Sequence, residues 1–506
     1  MKQLYILPIL FLLFAACNRD DSTGIIRSVS EITIEDETEE LNVDFGFELI
    51  RKVPVSQTMP DLPLAYEWAA APYTSETATD TLKVISEEEE LHYTFRQRGK
   101  HRLRLKVFNG DEAVFKEYTV WVNAAFEEGV MLLAEDENGE GNLSFLKTLT
   151  PEEIEAGVEE KILEHCFSTV NSGVDMKNPV GFTKILGDDY FGKQPKFIMA
   201  MPDKIYFADP STLELIGTTP INGEYEGEKA VRFIGSDYGY APLFIIFQTG
   251  KTIHINKDYY FLFEKSDQIY ENFNNGKYED IITQLVGAWG DGCNITPYYI
   301  NYTTSTLEFP GTNNQLTSSG ELFKDENIIT IFQENCHPYN SRTYSISSKK
   351  EDDSQIIIRQ LGIIYPDPND YYNFYYGAKT EFKYSMPIDG KCPAQGTQLV
   401  SNSTNGLALW YEGNEIFAWR YSNSQPELPT SSVINIGADK EITYISVSTN
   451  PKYQDQWLYV GVYDKTHKRG SLYIYDCTKI GQPGLKPYKQ FDNQTDRIKF
   501  ITDKTR

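Results

Sequence analysis

From His101 to Val107 apolar and polar positions alternate without a break. His101-Arg102-Leu103-Arg104-Leu105-Lys106-Val107 sets Leu103, Leu105 and Val107 on one side, and Arg102, Arg104 and Lys106 on the other. A period of two predicts a strand with one buried and one wet face. Asn109-Gly110 follows, the dipeptide of a tight hairpin in which both residues take positive φ. Ala113 to Val122 reads as the return strand, and Ala65-Tyr66-Glu67-Trp68 as an earlier one. Residues 31–124 therefore predict an immunoglobulin-like sandwich of short strands.

From residue 125 to 506 the texture changes to recurring apolar hairpins. Met131-Leu132-Leu133-Ala134 turns at Glu137-Asn138-Gly139 and returns at Leu143-Ser144-Phe145. The same form recurs at Phe197–Ala200 with Ile205–Phe207, and at Leu243–Ile246 with Thr252–Ile255. It recurs again at Ile328–Ile331 with Thr343–Ile346, at Leu407–Trp410 with Ile416–Trp419, and at Leu458–Tyr463 with Leu472–Asp476. An apolar strand, a turn and a strand ending near Asp is how propeller blades often read. At roughly 40–50 residues per blade, this stretch predicts a β-propeller of about seven blades, the alternative being a stack of sandwiches. The expected class is all-β. One short helix is expected at Thr150-Pro151-Glu152-Glu153, with Thr150 as N-cap and Pro151 in the first turn.

The first residues differ from everything after them. Lys2 is basic, Leu4 to Phe14 is almost wholly apolar around Pro8, and Ala15-Ala16 precedes Cys17. This is the pattern of an export signal, and it falls short of the ~20 apolar residues of a membrane span. Phe14-Ala15-Ala16-Cys17 resembles the lipobox of bacterial lipoproteins, which implies cleavage after residue 16 and lipid on Cys17. Asn18-Arg19-Asp20-Asp21-Ser22 resembles the surface-export signal of Bacteroidetes lipoproteins. It implies an outer-membrane protein, lipid-anchored and facing the cell exterior. The expected organisation is a signal peptide at 1–16, a lipidated tether at 17–30, the sandwich at 31–124 and the propeller at 125–506.

Tyr66-Glu67-Trp68, and Gly99-Lys100-His101 leading into the Leu103–Val107 strand, resemble PKD-like domains. Ala69-Ala70-Ala71-Pro72 stands where the fuller PKD pattern has Gly-Asp-Gly. The domain order resembles the PKD-like lipoproteins of Bacteroidetes, accessory members of SusC/SusD-type nutrient importers. The resemblance implies a non-catalytic binding or scaffold component for glycan or peptide uptake. Its partners would be a SusC/SusD-type transporter and companion surface lipoproteins.

Composition narrows the chemistry. The net charge of −26 and the lack of a basic patch argue against nucleic acid as a partner. Six cysteines leave five once Cys17 is lipidated, widely spaced and without a zinc-type Cys-x-x-Cys. They are either buried thiols or one or two long-range disulfides. No hydrolase, P-loop, dinucleotide or metalloprotease motif occurs, so no catalytic residue, metal or cofactor is expected. A glycoside hydrolase or lyase remains the alternative, because its two carboxylates come from distant strands and leave no motif. Asp136-x-Asn138-x-Glu140 has oxygen ligands at alternate positions but reads more simply as a turn, and Glu87-Glu88-Glu89-Glu90 as a solvated loop. The candidate ligand-binding residues are aromatic. Trp289 stands among glycines, and Tyr371, Tyr372, Phe374, Tyr375 and Tyr376 follow a turn-rich Asp367-Pro368-Asn369-Asp370. Asp258-Tyr259-Tyr260-Phe261 and Pro297-Tyr298-Tyr299 are smaller clusters of the same kind. Loop-borne aromatics can stack on sugar rings or anchor an interface.

Overall fold

The computed structural model describes residues 29–73, 81–155, 157–185, 195–221, 225–235, 243–255, 270–271, 278–289, 292–310, 316–318, 321–334, 342–364, 377–421 and 427–505. Its regular structure is nearly all β, and the chain divides into two compact units, Met1–Asn123 and Ala124–Arg506.

In the first unit the alternating segment forms the strand Gly99–Phe108, with Leu103, Leu105 and Val107 fully buried. It pairs antiparallel with Ala113–Asn123 and with Ala65–Pro72 inside a five-stranded sheet. Glu40–Asp44 joins that sheet's edge in parallel with Ala113–Asn123, and two two-stranded sheets complete the unit. Trp68 is fully buried, stacks on Tyr118 at 6.2 Å and donates its indole N–H to the Glu88 carbonyl. The acidic run is thus a bend leading into the Glu90–Thr94 strand, its Glu88 carbonyl taken by Trp68 and its Glu88 N–H by Ser86 Oγ. The Asn-Gly turn departs from expectation, because only Gly110 has positive φ. Asn109 instead accepts the Asp111 and Glu112 N–H groups on its side-chain oxygen, which turns the chain without a left-handed Asn.

The second unit holds seven four-stranded sheets among the described residues, each antiparallel. All six expected hairpins are present as paired strands. A seventh, Asp280–Trp289 with Gly292–Asn301, was not expected. The last strand, Arg497–Lys504, does not extend its own sequence neighbours. It pairs with Gly129–Glu135, so one sheet joins the two ends of the unit. First strands touch between most neighbouring sheets, and Arg497–Lys504 meets both Lys440–Val447 and Gly181–Ile185. The fold is propeller-like.

The core lies between successive sheets. Ile198, Phe207, Phe233 and Ile245 fill one such layer, Phe244, Ile281 and Tyr299 the next, and Tyr298, Ile300, Ile328 and Leu361 the one after. Phe244 and Ile245, like Tyr298 and Tyr299, therefore point to opposite faces and are all buried. That explains the unbroken burial of Leu243–Phe247. A strand covered on both sides needs a continuous apolar run. Each fully buried side chain of this kind contributes about 1.5–3 kcal/mol.

The expected helix forms at Pro151–Glu155 as a capping box. The Glu153 N–H donates to Thr150 Oγ1 at 3.3 Å, and the Thr150 N–H to Glu153 Oε2 at 2.9 Å. Among the described residues no helix is long and apolar enough to cross a membrane.

Candidate functional site

The second unit contains a cavity of about 420 Å³, bounded by Asp280, Ile331, Thr397, Gln398, Leu399, Val400, Tyr411, Tyr444 and Ile445. Asp280, Ile331, Val400 and Ile445 come from the first strands of four successive sheets. The wall is pinned before any ligand arrives. The Gly396 N–H donates to the Ile329 carbonyl at 2.8 Å, and Thr330 Oγ1 to the Thr397 carbonyl at 2.7 Å. Gln395 Nε2 donates to the carbonyls of Tyr302 and Ile328 at 3.1 and 2.8 Å. These bonds hold residues 395–398 against the Glu326–Gln333 strand, leaving the exposed Gln398 side chain on the wall.

Asp280 is the carboxylate among the described lining residues, and it is fully engaged. Its Oδ1 meets Arg232 Nη2 at 2.8 Å and accepts the Ile281 N–H at 2.7 Å, while Oδ2 accepts the Tyr302 hydroxyl at 3.1 Å. Burial raises its pKa, against the opposing pull of Arg232 and its donors. Burial also pushes the Tyr302 phenol well above the usual tyrosine range. Arg232 belongs to the Ala230–Ile234 strand, so this ion pair ties two neighbouring sheets together. Tyr411 donates to the Thr443 carbonyl at 3.0 Å, and burial raises its pKa too. The cavity thus offers hydroxyl, amide and aromatic surface around a locked acid. Such a wall can orient a ligand but has no free proton carrier among the groups just named.

None of the sequence candidates is among the described lining residues. Trp289 is not on a loop: it ends the strand Asp280–Trp289, opposite Gly292. The glycines around it had suggested an exposed loop, whereas Gly287 and Gly292 are strand residues at a narrow hairpin end. Tyr371, Tyr372, Phe374, Tyr375 and Tyr376 lie outside the described residues, as do Cys17 and Asp258-Tyr259-Tyr260-Phe261. Tyr298 and Tyr299 are core, at 0% and 1% exposure. The Asp136 carboxylate accepts the Asn138 and Glu140 N–H groups, both at 2.8 Å, which makes the Asp136–Glu140 segment a self-satisfied turn. Cys166 and Cys477 are buried free thiols, both pushed up to about 12 by burial, and Cys392 is half-buried and pushed up to about 11. Thiols held that high are poor nucleophiles. Among the described residues no group of three or more His, Cys, Asp or Glu side chains is placed to hold a metal. Sequence reading missed Asp280, Arg232, Gln398, Tyr411 and Tyr444, which belong to no motif and converge only through the sheet arrangement.

No family model and no curated protein matches the chain. Among solved structures, one similar chain is a quinonprotein alcohol dehydrogenase-like protein from Bacteroides thetaiotaomicron. It is 13% identical at a TM-score of 0.43, covering 94% of this chain and 99% of that one. The dihydro-heme d1 dehydrogenase NirN, in complex with DHE, is 10% identical at 0.35, over 79% and 72% of the two chains. Apo AztD from Citrobacter koseri is 10% identical at 0.32, over 88% and 100%.

Proposed function

We propose that this chain is a surface lipoprotein of the outer membrane, anchored by lipid on Cys17. In this reading it acts as a non-catalytic binding or scaffold component of a SusC/SusD-type nutrient uptake system. Residues 31–124 form a PKD-like spacer, and residues 125–506 a β-propeller of seven blades that presents the binding surface. The observation that carries the non-catalytic reading is the state of Asp280. The acid among the cavity's described lining residues is committed to Arg232, Tyr302 and a backbone N–H, while the other described lining residues are suited to holding a ligand. The lipid anchor and the importer context come from the Phe14–Cys17 and PKD-like resemblances. A large rigid ring of sheets whose loops carry the variable contacts fits such a role.

The test is co-purification. The protein, tagged at its C-terminus, is extracted from outer membranes in mild detergent and its companions are identified by mass spectrometry. A stoichiometric SusC/SusD-type pair is expected. A protein that emerges alone, without lipid on its N-terminal cysteine, overturns the proposal.

A further inference from the structure

A second concavity, sharing no lining residue with the central cavity, lies between the Lys440–Thr495 sheet and the sheet closed by Arg497–Lys504. Its volume is about 190 Å³, below the ~300–1,000 Å³ of a pocket that engulfs a drug-sized ligand. Trp457 and Tyr488 form its platform, with ring centroids 4.7 Å apart and planes within 17° of parallel. Tyr453 abuts Trp457 at 6.3 Å. Trp457 covers the core formed by Val130, Leu132, Ile474 and Phe491. Tyr488 stands outside that core and is 59% exposed. Core packing therefore accounts for Trp457 but not for Tyr488, whose ring is held by stacking on Trp457 and still leaves more than half of the residue in solvent.

The polar side of the groove is arranged as well. Lys489 Nζ bridges both oxygens of Glu160 at 2.6 and 2.7 Å, and Lys147 Nζ meets Glu153 at 2.6 Å. Each cation of the groove is thus matched by a carboxylate. What remains is directional hydrogen-bonding capacity beside an aromatic face, with local charge balanced. That combination suits a ligand with an apolar C–H face and a rim of uncharged hydroxyls. The negative face of an aromatic ring attracts the polarised C–H groups, and paired ammonium and carboxylate groups donate to and accept from hydroxyls. The small volume admits one ring at a time.

We propose that the groove at Trp457, Tyr488, Lys489 and Glu160 binds a single pyranose unit of a neutral polysaccharide. This deepens the binding-module reading and rests on it. The test is affinity electrophoresis of the purified full chain in gels containing amylopectin, mixed-linkage β-glucan, galactomannan or polygalacturonate. Retardation by at least one neutral polymer is expected. It should weaken about tenfold in Tyr488→Ala, the worth of one aromatic contact, and persist in Tyr488→Phe. Tyr488 is exposed, so its alanine variant keeps the fold, which circular dichroism verifies. Binding only to polygalacturonate, binding untouched by Tyr488→Ala, or no retardation in any gel overturns the proposal. Those outcomes leave the uptake role standing if co-purification with the transporter pair succeeds, so the two readings fail separately.

Discussion

Asp503 should be among the most sensitive positions of the second unit. It sits on Arg497–Lys504, the strand that joins the unit's two ends, and is 6% exposed. Its Oδ2 accepts the Thr449 N–H at 2.7 Å, the Asn450 N–H at 3.1 Å and the Ser448 hydroxyl at 2.9 Å, and Oδ1 accepts the Tyr459 hydroxyl at 2.8 Å. One carboxylate therefore satisfies four donors of the preceding sheet. Truncation to alanine removes charge-assisted bonds worth about 1.5–3 kcal/mol each and strands buried donors, though such losses do not add fully. The expected cost of Asp503→Ala is about 4 kcal/mol, and of Asp503→Asn about 2 kcal/mol, because the amide keeps one acceptor. Native domains have only about 5–15 kcal/mol in hand, so the alanine variant should lose much of its resistance to urea. Amide hydrogen exchange locates the effect: protection should fall first along Arg497–Lys504 and at Thr449 and Asn450. A urea midpoint shift worth less than about 1 kcal/mol, or exchange rising uniformly, would refute the idea that this side chain latches the closing strand.

Three further outcomes follow from charged groups held inside the units. Burial raises the Asp36 pKa, but Arg51, the Thr38 N–H and Tyr118 outweigh it and hold the carboxyl far below the usual range. Its contribution is complete above about pH 4 and lost as pH falls further, so acid unfolding of the first unit should come at higher pH in Arg51→Met than in the native chain. Lys504 behaves in the opposite sense. Burial and the Lys184 charge hold it down at about 8 against 10.5 when exposed, with Glu127, Glu128 and Asp209 opposing. The unfolded chain binds the extra proton between those values, so stability rises with pH across that window, by about 3 kcal/mol. Lys504→Met should flatten that slope in pH-dependent urea midpoints. Glu326 and Arg359 pair at 2.8 and 3.0 Å, with side chains 9% and 2% exposed, and Lys383 and Ser347 add to the carboxylate. Glu326→Gln should cost about 3–5 kcal/mol by stranding Arg359, and Glu326→Gln with Arg359→Met should recover much of it in a double-mutant cycle of urea unfolding. An additive double mutant would contradict the pairing.

Much of the fold is legible in the apolar runs, because hairpin strands covered on both faces must be apolar at every position. Leu243–Phe247 and Leu458–Tyr463 show this directly. The missed hairpin, Asp280–Trp289 with Gly292–Asn301, breaks the rule in sequence: Thr283, Gln284, Asn294 and Thr296 interrupt it. A repeat was also readable. Ser403-Thr404-Asn405 and Ser448-Thr449-Asn450 lie 45 residues apart, a blade's length. Each receives a carboxylate from the next sheet: Asp455 Oδ2 accepts Ser403 Oγ at 2.7 Å and the Thr404 N–H at 2.9 Å, as Asp503 does for the second copy. The motif marks where one sheet is latched to the next, and its period reports the repeat of sheets more directly than hydrophobic counting does.

The site was harder to read for the same physical reason. In an ordinary antiparallel sheet half the positions of a strand meet water, so a dense aromatic cluster puts rings outside. Here neighbouring sheets cover both faces, and adjacent tyrosines such as Tyr298 and Tyr299 serve two different core layers. At Tyr298 and Tyr299 aromatic density therefore marks packing, and the informative aromatics among the described residues are those the packing does not need. Tyr488 is such a residue: alone in its segment Lys486-Pro487-Tyr488-Lys489, it is left outside the core that its partner Trp457 seals. A binding surface in this architecture gathers at sheet edges and strand ends, where single side chains from separate hairpins converge. Such convergence has no spacing in sequence. It becomes visible only once the order of the sheets brings Glu160 against Lys489 and Arg232 against Asp280.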